Sequence, residues 1–208
     1  MISFDQILLF SAASLLLIFT PGPDIIYVLT RGVAQGRTAA LAAALGFSLG
    51  NIGHTLLAVF GLSAILASSA VAFTAVKVAG GLYLLYLGYK LWTADPSLVL
   101  SSQREHQTAR LIFRQSVLAN LLNPKVAIFF LAFFPQFVRP DQGHPALQMM
   151  ILGLTFVMLT MLGFGLVAMG AGALNARLSA RPSLSAWLHK GAGGILMLLG
   201  LRLIWADR

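Results

Sequence analysis

The sequence predicts an all-α integral membrane protein with six transmembrane helices, arranged as two inverted three-helix repeats in which helices 1 and 4 are broken. Three observations predict this fold. First, 58% of the 208 residues are hydrophobic and only 10% are charged, whereas a soluble domain carries about 25% charged residues. Second, uncharged apolar stretches of about 20 residues or more, enough for a helix to cross the hydrocarbon, recur along the chain. Third, prolines interrupt the first and the fourth stretch.

The apolar stretches are interpreted as six membrane spans. They cover residues 4–30, 38–66, 71–92, 115–138, 147–173 and 184–205. The first stretch is not interpreted as a signal peptide, because it has neither a basic leading segment nor a small-residue cleavage site.

Most of the 14 Lys and Arg residues fall on one side of these spans. Because cytoplasmic loops carry the excess of positive charge, the 95–109 loop is expected in the cytoplasm and both termini outside. The expected location is the cytoplasmic (inner) membrane, crossed several times. The net charge of +8 does not indicate nucleic-acid binding, because the basic residues lie between apolar runs rather than on one folded face.

The first break is the sequence Thr20-Pro21-Gly22-Pro23-Asp24. Proline lacks the backbone N–H and clashes with the preceding helical turn. Unsatisfied backbone groups cost several kcal/mol each in lipid. The break is therefore expected to face protein or a watery cavity.

The second break is the sequence Asn123-Pro124-Lys125. It is typical of a helix N-cap followed by proline at the first helical position. A helix is expected to restart here with its positive dipole end inside the membrane. A simple proline kink is the alternative at either site, but two breaks that each precede an ionisable residue favour discontinuous helices.

The two breaks occupy equivalent positions in the two halves of the chain. An odd number of spans per half inverts the second half, and transporters built this way bind substrate where their broken helices meet. The prediction is a single transmembrane transporter domain over 1–208, with half-repeats at about 1–94 and 110–208 joined by the 95–109 loop. Asp24 and Lys125 should then lie close together. A lysine at a helix N-terminus is unfavourable, so Lys125 is expected to pair with Asp24 or a ligand carboxylate, unless it extends to the interface.

Motifs along nearly the whole chain match one known family in order. The run Leu121-Leu122-Asn123-Pro124-Lys125 and the run Thr20-Pro21-Gly22-Pro23 resemble the fourth-span and first-span motifs of the LysE/RhtB family of bacterial amino-acid exporters. Further matches in the second, third and last spans include Gly46, Gly50, His54, Tyr83, Gly88, Lys90, Gly194 and Arg202. Gly46 and Gly50 also form a small-xxx-small pair, which predicts close helix packing. The resemblance implies efflux of amino acids or close derivatives, driven by the proton gradient.

Export of a zwitterion requires a cationic and an anionic end to the site. Lys125 and the helix start after Pro124 supply the first; Asp24 and carbonyls freed near Pro21 and Pro23 supply the second. Asp24 is the acid well inside a predicted span, so it is the first candidate for the proton carrier. His54 is the second, with simple packing as its alternative role. The candidate substrate-binding and coupling residues are Thr20, Pro21, Gly22, Pro23, Asp24, His54, Asn123, Pro124 and Lys125.

The expected substrate is a small, neutral amino acid of the threonine, homoserine or leucine type, because a basic substrate would require another acid in the spans. A passive channel, or an exporter of metal ions or other small solutes, is the alternative. No enzyme activity, cofactor or metal is expected, since the sequence has no cysteine, paired intramembrane carboxylates or H-E-x-x-H motif. The expected partners are the amino acid, protons and membrane lipid; the sequence leaves a homo-oligomer open.

Overall fold

The computed structural model describes residues 2–62, 70–93, 106–180 and 182–205, and within these ranges it contains helices and no strand. The α-helices, numbered in chain order, are α1 (Phe4–Phe19), α2 (Pro23–Gln35), α3 (Arg37–Leu57), α4 (Ala70–Thr93), α5 (Ala109–Leu121), α6 (Pro124–Ile128), α7 (Pro145–Ala180) and α8 (Pro182–Trp205). A π-helical segment, Ala58–Leu62, continues α3, and π and 3-10 segments, Phe129–Phe133 and Phe134–Phe137, continue α6. Most of the predicted 95–109 loop lies outside the described residues.

Both predicted breaks are present. Helix α1 starts at a capping box made by Ser3 and Gln6 and ends at Phe19, and α2 starts at Pro23 after a bend of 56°. Helix α5 ends at Leu121, and the chain turns by 45° before it continues from Pro124. The prediction that the first and the fourth predicted span are each broken is confirmed.

The number of membrane spans is supported only in part. In the described part of the chain, Arg37–Gly61 and Pro145–Ala173 are long and apolar enough to cross a membrane, and the count rises to four if each bent pair is one span. Helices α4 and α8 have 24 residues each, which is about 36 Å at the usual helical rise. The all-helical class is confirmed, and the six-span inverted repeat stays a prediction.

Helix α3 packs against both α5 and α7 at the centre of the protein. Its contact with α5 is close because glycines face that helix. A Cβ atom added to Gly46 would lie 2.5 Å from the carbonyl oxygen of Phe113, and one added to Gly50 would lie 2.7 Å from Cβ of Asn120. Both distances are shorter than real Cβ contacts. The prediction that Gly46 and Gly50 serve close helix packing is confirmed.

Helices α4 and α8 form a second close pair. A Cβ atom on Gly88 would lie 2.6 Å from the carbonyl oxygen of Gly193, and one on Gly200 would lie 2.7 Å from that of Gly81. The pairs α3–α7 and α4–α8 each join one helix from each predicted half. In the predicted repeat, a twofold axis would relate the two helices of each pair to one another.

Phenylalanines fill the core beside the two breaks. Phe10 of α1 makes an edge contact with Phe134 at 5.4 Å between ring centroids, and Phe129 stacks on Phe156 of α7 at 5.2 Å. All four rings are buried. Rings that interlock in this way hold the broken segments against α7.

Candidate functional site at the two helix breaks

Lys125 lies in the first turn of α6, and its side chain is only 9% exposed. Its Nζ donates hydrogen bonds of 2.9 Å to the backbone carbonyl oxygens of Leu17 and Thr20 at the end of α1. The Leu17 carbonyl would normally accept from the N–H four residues later, but that residue is Pro21, which has none. Lys125 therefore supplies the hydrogen-bond donor that the last turn of α1 lacks.

This contact changes the electrostatic expectation for Lys125. Its hydrogen-bond partners are the two carbonyls rather than the carboxylate of Asp24, and its side chain is buried within the protein. The C-terminal end of a helix carries partial negative charge, which favours an ammonium group. The end of α1 thus offsets the unfavourable position of Lys125 at the start of α6.

Asp24 lies in the first turn of α2, where the helix dipole favours a carboxylate. The side chain is 8% exposed, and its Oδ1 accepts a hydrogen bond of 2.5 Å from Nδ2 of Asn123. The other amide atom of Asn123, Oδ1, accepts a 2.9 Å hydrogen bond from the backbone N–H of Lys125. The predicted N-cap at Asn123 with Pro124 at the first helical position is confirmed. The same amide joins the starts of α2 and α6.

The other residues of the first break shape the backbone. The hydroxyl of Thr20 donates to the carbonyl of Leu16 at 2.6 Å, while its own carbonyl accepts from Lys125. A Cβ atom on Gly22 would lie 3.3 Å from Nζ of Lys125, so glycine leaves room for the ammonium group. Pro21 ends the hydrogen bonding of α1, and Pro23 begins α2.

His54 donates a hydrogen bond to a backbone carbonyl at the second break, as Lys125 does at the first. Its Nε2 lies 3.0 Å from the backbone carbonyl oxygen of Asn120, and its ring stacks on Phe130 at 5.5 Å between centroids. Pro124 has no N–H to offer this carbonyl, which accepts a 2.9 Å hydrogen bond from the backbone N–H of Asn123 as well. A carbonyl oxygen can only accept, so Nε2 must carry the hydrogen. His54 is buried beside the site but is not among the residues that line the cavity described next.

A small cavity of about 20 Å³ lies between the two breaks, lined by both Asp24 and Lys125. A cavity of this size holds about one water molecule, so it must widen to admit an amino acid. The remaining lining residues are the polar Asn51, Asn120 and Thr160 and the apolar Leu17, Ile18, Ile25, Val126, Phe156 and Phe164.

The three polar lining residues were not predicted from the sequence. Asn51 and Asn120 are each 1% exposed, and Thr160 is 2% exposed. A signal existed for the two asparagines, because a buried amide inside an apolar span is costly unless it is paired. Asn120 also stands four residues before Pro124, so its carbonyl lacks the usual helical donor at that position. Thr160 has no comparable signal, since threonine is common in membrane helices.

Comparison with known proteins finds one family and several similar chains. Residues 15–207 match the family described as LysE type translocator. The chain is 33% identical over 190 residues to the homoserine/homoserine lactone efflux protein of Salmonella typhi, covering 90% of each chain. It is 32% identical to an uncharacterized membrane protein of Vibrio cholerae, covering 89% of this chain and 90% of that one. It is 31% identical over 154 residues to the leucine efflux protein of Klebsiella pneumoniae, covering 71% and 70%.

No solved structure matches the chain. The family match nevertheless covers most of its length, and the relatives span the same region. The resemblance that the motifs suggested is confirmed. This chain belongs to the family of LysE-type translocators, and it is a helical membrane transporter.

Proposed function

We propose that this protein exports a small, neutral α-amino acid across the cytoplasmic membrane in exchange for protons. The observation that carries the proposal is one cavity, lined by a buried carboxylate and a buried ammonium group, at the meeting point of two broken helices. In transporters with broken helices, substrate binds at such a meeting point.

Lys125 is the proposed partner of the substrate's carboxylate. An ammonium group has three N–H donors, and two of them are used by the carbonyls of Leu17 and Thr20. The third is free for a charge-assisted hydrogen bond to a carboxylate in the cavity that Lys125 lines.

The lining of the cavity supports a neutral side chain on the substrate. The ammonium and carboxylate of a zwitterion would use the charges of Asp24 and Lys125, and the other walls are largely apolar. Leucine and homoserine, which name the efflux relatives, both have uncharged side chains. Homoserine lactone shares the primary ammonium group with them but has no free carboxylate, so the ammonium group is the feature common to all three.

Asp24 is the proposed site of proton exchange. Its carboxylate can accept either a proton or hydrogen bonds from the substrate's ammonium group. Because the two cations compete for the same oxygens, protonation of Asp24 favours substrate release, and substrate binding favours proton release. This competition is sufficient to couple the two fluxes if the site faces one side of the membrane at a time.

Transport into and out of proteoliposomes tests the proposal. Vesicles containing the purified protein are given radiolabelled leucine or homoserine at equal concentration on both sides, and a pH gradient is then imposed. We expect net movement of the amino acid opposite to the proton flux, abolished by a protonophore.

Two results would contradict this proposal. No net movement after the pH gradient is imposed, from protein that still equilibrates the amino acid when it is loaded on one side only, would indicate a passive channel. No amino-acid flux in either condition, with protein that remains folded, would favour a metal-ion or other small-solute exporter. Lys90→Gln, an exposed change outside the cavity, is the matched control.

A further inference from the structure

Two buried hydrogen-bond acceptors at the cavity have no donor. Oδ1 of Asn51 and Oδ1 of Asn120 are buried and, in the part of the protein that the structure describes, make no hydrogen bond. Both residues line the cavity that Asp24 and Lys125 share. Buried acceptors are normally paired because an unpaired one is destabilising. A ligand that brought several donors into this cavity would pair them.

The orientation of the Asn51 amide follows from its neighbour. The hydroxyl of Thr160 donates its hydrogen to the carbonyl of Phe156 at 2.8 Å, so its oxygen can only accept from Asn51. Nδ2 of Asn51 donates to that oxygen at 3.1 Å. The amide must then direct its Oδ1 away from Thr160.

Asn120 is held from the opposite side. A Cβ atom added to Gly50 would lie 2.7 Å from both Cβ and Oδ1 of Asn120, so this side chain lies against the bare backbone of α3. The backbone carbonyl of Asn120 is held by His54 at 3.0 Å. Both asparagines are thus positioned by the contacts of α3 with α5 and α7.

We infer that Asn51 and Asn120 form the subsite for the substrate's primary ammonium group, together with Asp24. An ammonium group is about the size of the single water molecule that the cavity admits and brings three N–H donors. The two amide oxygens and the carboxylate supply three acceptors. The inference rests on the proposed function and assigns the ammonium end of the same site, leaving the carboxylate end to Lys125.

The assignment predicts a specific selectivity. An α-hydroxy acid keeps the carboxylate but offers one O–H donor in place of three N–H donors, so it leaves acceptors unpaired. A methyl ester keeps the ammonium group and removes the carboxylate charge. The first change should weaken binding through lost contacts with Asn51 and Asn120. The second should weaken binding through the lost contact with Lys125.

Competition binding to the full-length protein in proteoliposomes tests the inference. The probe is radiolabelled leucine, competed by leucine, by its α-hydroxy analogue and by leucine methyl ester. We expect Asn51→Leu and Asn120→Leu each to lower the preference for leucine over the α-hydroxy analogue by about tenfold, the effect of one hydrogen bond to a charged group. The preference for leucine over its methyl ester should not change.

Ser48→Ala and Ser116→Ala are the matched controls on the same two helices. Both serines are fully buried and bond to their own helix, at 2.7 Å to Ala44 and 2.8 Å to Ile112. They should leave both preferences as in the wild type. Wild-type preference for leucine in the two Asn→Leu variants would overturn the inference.

If the Asn→Leu variants do not fold, Asn51→Asp and Asn120→Asp decide the question. A carboxylate attracts an ammonium group more than a hydroxyl, so the preference for leucine over the α-hydroxy analogue should rise several-fold. An unchanged or lower preference would refute the subsite. Failure of the proposed function itself is distinct, because the wild-type protein would then bind no leucine and no homoserine.

Discussion

The side-chain nitrogen of Lys125, at the start of α6, lies 2.9 Å from the backbone carbonyl oxygen of Leu17, in the last turn of α1. A matching contact joins Nε2 of His54 to the carbonyl oxygen of Asn120 at the end of α5, at 3.0 Å. In both cases a proline leaves a carbonyl of one half without its helical partner, and a side chain of the other half supplies a donor. Each half therefore donates a side-chain hydrogen bond to the broken helix of the other half.

Replacing Lys125 should destabilise the protein. Lys125→Met removes two hydrogen bonds to buried carbonyls, and we expect a loss of about 2–4 kcal/mol in the free energy of unfolding. Thermal or denaturant unfolding of the purified protein in detergent measures it. Lys90→Met, an exposed change, should have little effect. Equal stability of the two variants would contradict the role of Lys125 in completing α1.

His54 and Pro124 should be energetically coupled. His54→Leu removes one of the two donors to the Asn120 carbonyl, the other being the backbone N–H of Asn123, and should cost about 1–2 kcal/mol. Pro124→Ala restores a backbone N–H four residues after Asn120, so the same histidine change should cost less in that background. A double-mutant cycle measured by unfolding should show a coupling of about 1 kcal/mol. Strictly additive losses of stability would show that His54 does not compensate for the missing N–H of Pro124.

Gly50 should not tolerate a methyl group. In Gly50→Ala the new Cβ would lie 2.7 Å from Asn120, so α3 and α5 must separate or Asn120 must move. We expect a loss of about 1–3 kcal/mol in stability, together with weaker substrate binding. Gly165→Ala is the control, because an added Cβ there meets no atom within 4 Å, and it should be neutral or slightly stabilising. Similar behaviour of the two variants would argue against close packing at Gly50.

Asp24→Asn should separate folding from proton coupling. The amide oxygen can still accept from Nδ2 of Asn123, and Lys125 keeps its two carbonyl partners. We therefore expect stability within about 1 kcal/mol of wild type and loss of gradient-driven movement in the proteoliposome assay.

Asp141→Asn, an exposed change, is the control for Asp24→Asn. Pumping by Asp24→Asn at a near wild-type rate would place the proton carrier elsewhere. His54→Gln would then be the next variant to assay. Gradient-driven export that survives both changes would remove both proton-carrier candidates.

The predicted orientation can be tested by labelling, because the chain has no cysteine of its own. Ser102→Cys places a thiol in the 95–109 loop, and Asp141→Cys places one between the fourth and fifth predicted spans. A membrane-impermeant maleimide applied to intact cells should label the second variant and not the first. Labelling of Ser102→Cys alone would show that the predicted orientation is inverted. Permeabilised cells, in which both should react, are the control.

The two breaks could be predicted because proline acts locally. A missing N–H at Pro21, Pro23 and Pro124 interrupts a helix wherever the helix lies in the fold. The cap at Asn123 is equally local, because its amide bonds the N–H of Lys125 only two residues away. The glycines of α3 followed from their spacing on one helical face. Composition and motifs also determined the helical membrane class and the family.

Only the tertiary structure decided which groups complete the breaks and line the cavity. The sequence suggested Asp24 or a ligand as the partner of Lys125, whereas the structure places two carbonyls there, 105 and 108 residues away along the chain. It also brings Asn51, Asn120 and Thr160 to the cavity from three different helices. A hydrogen bond depends on distances of a few tenths of an ångström. Those distances arise when α3 packs against α5 and α7, and no local pattern in the chain encodes them.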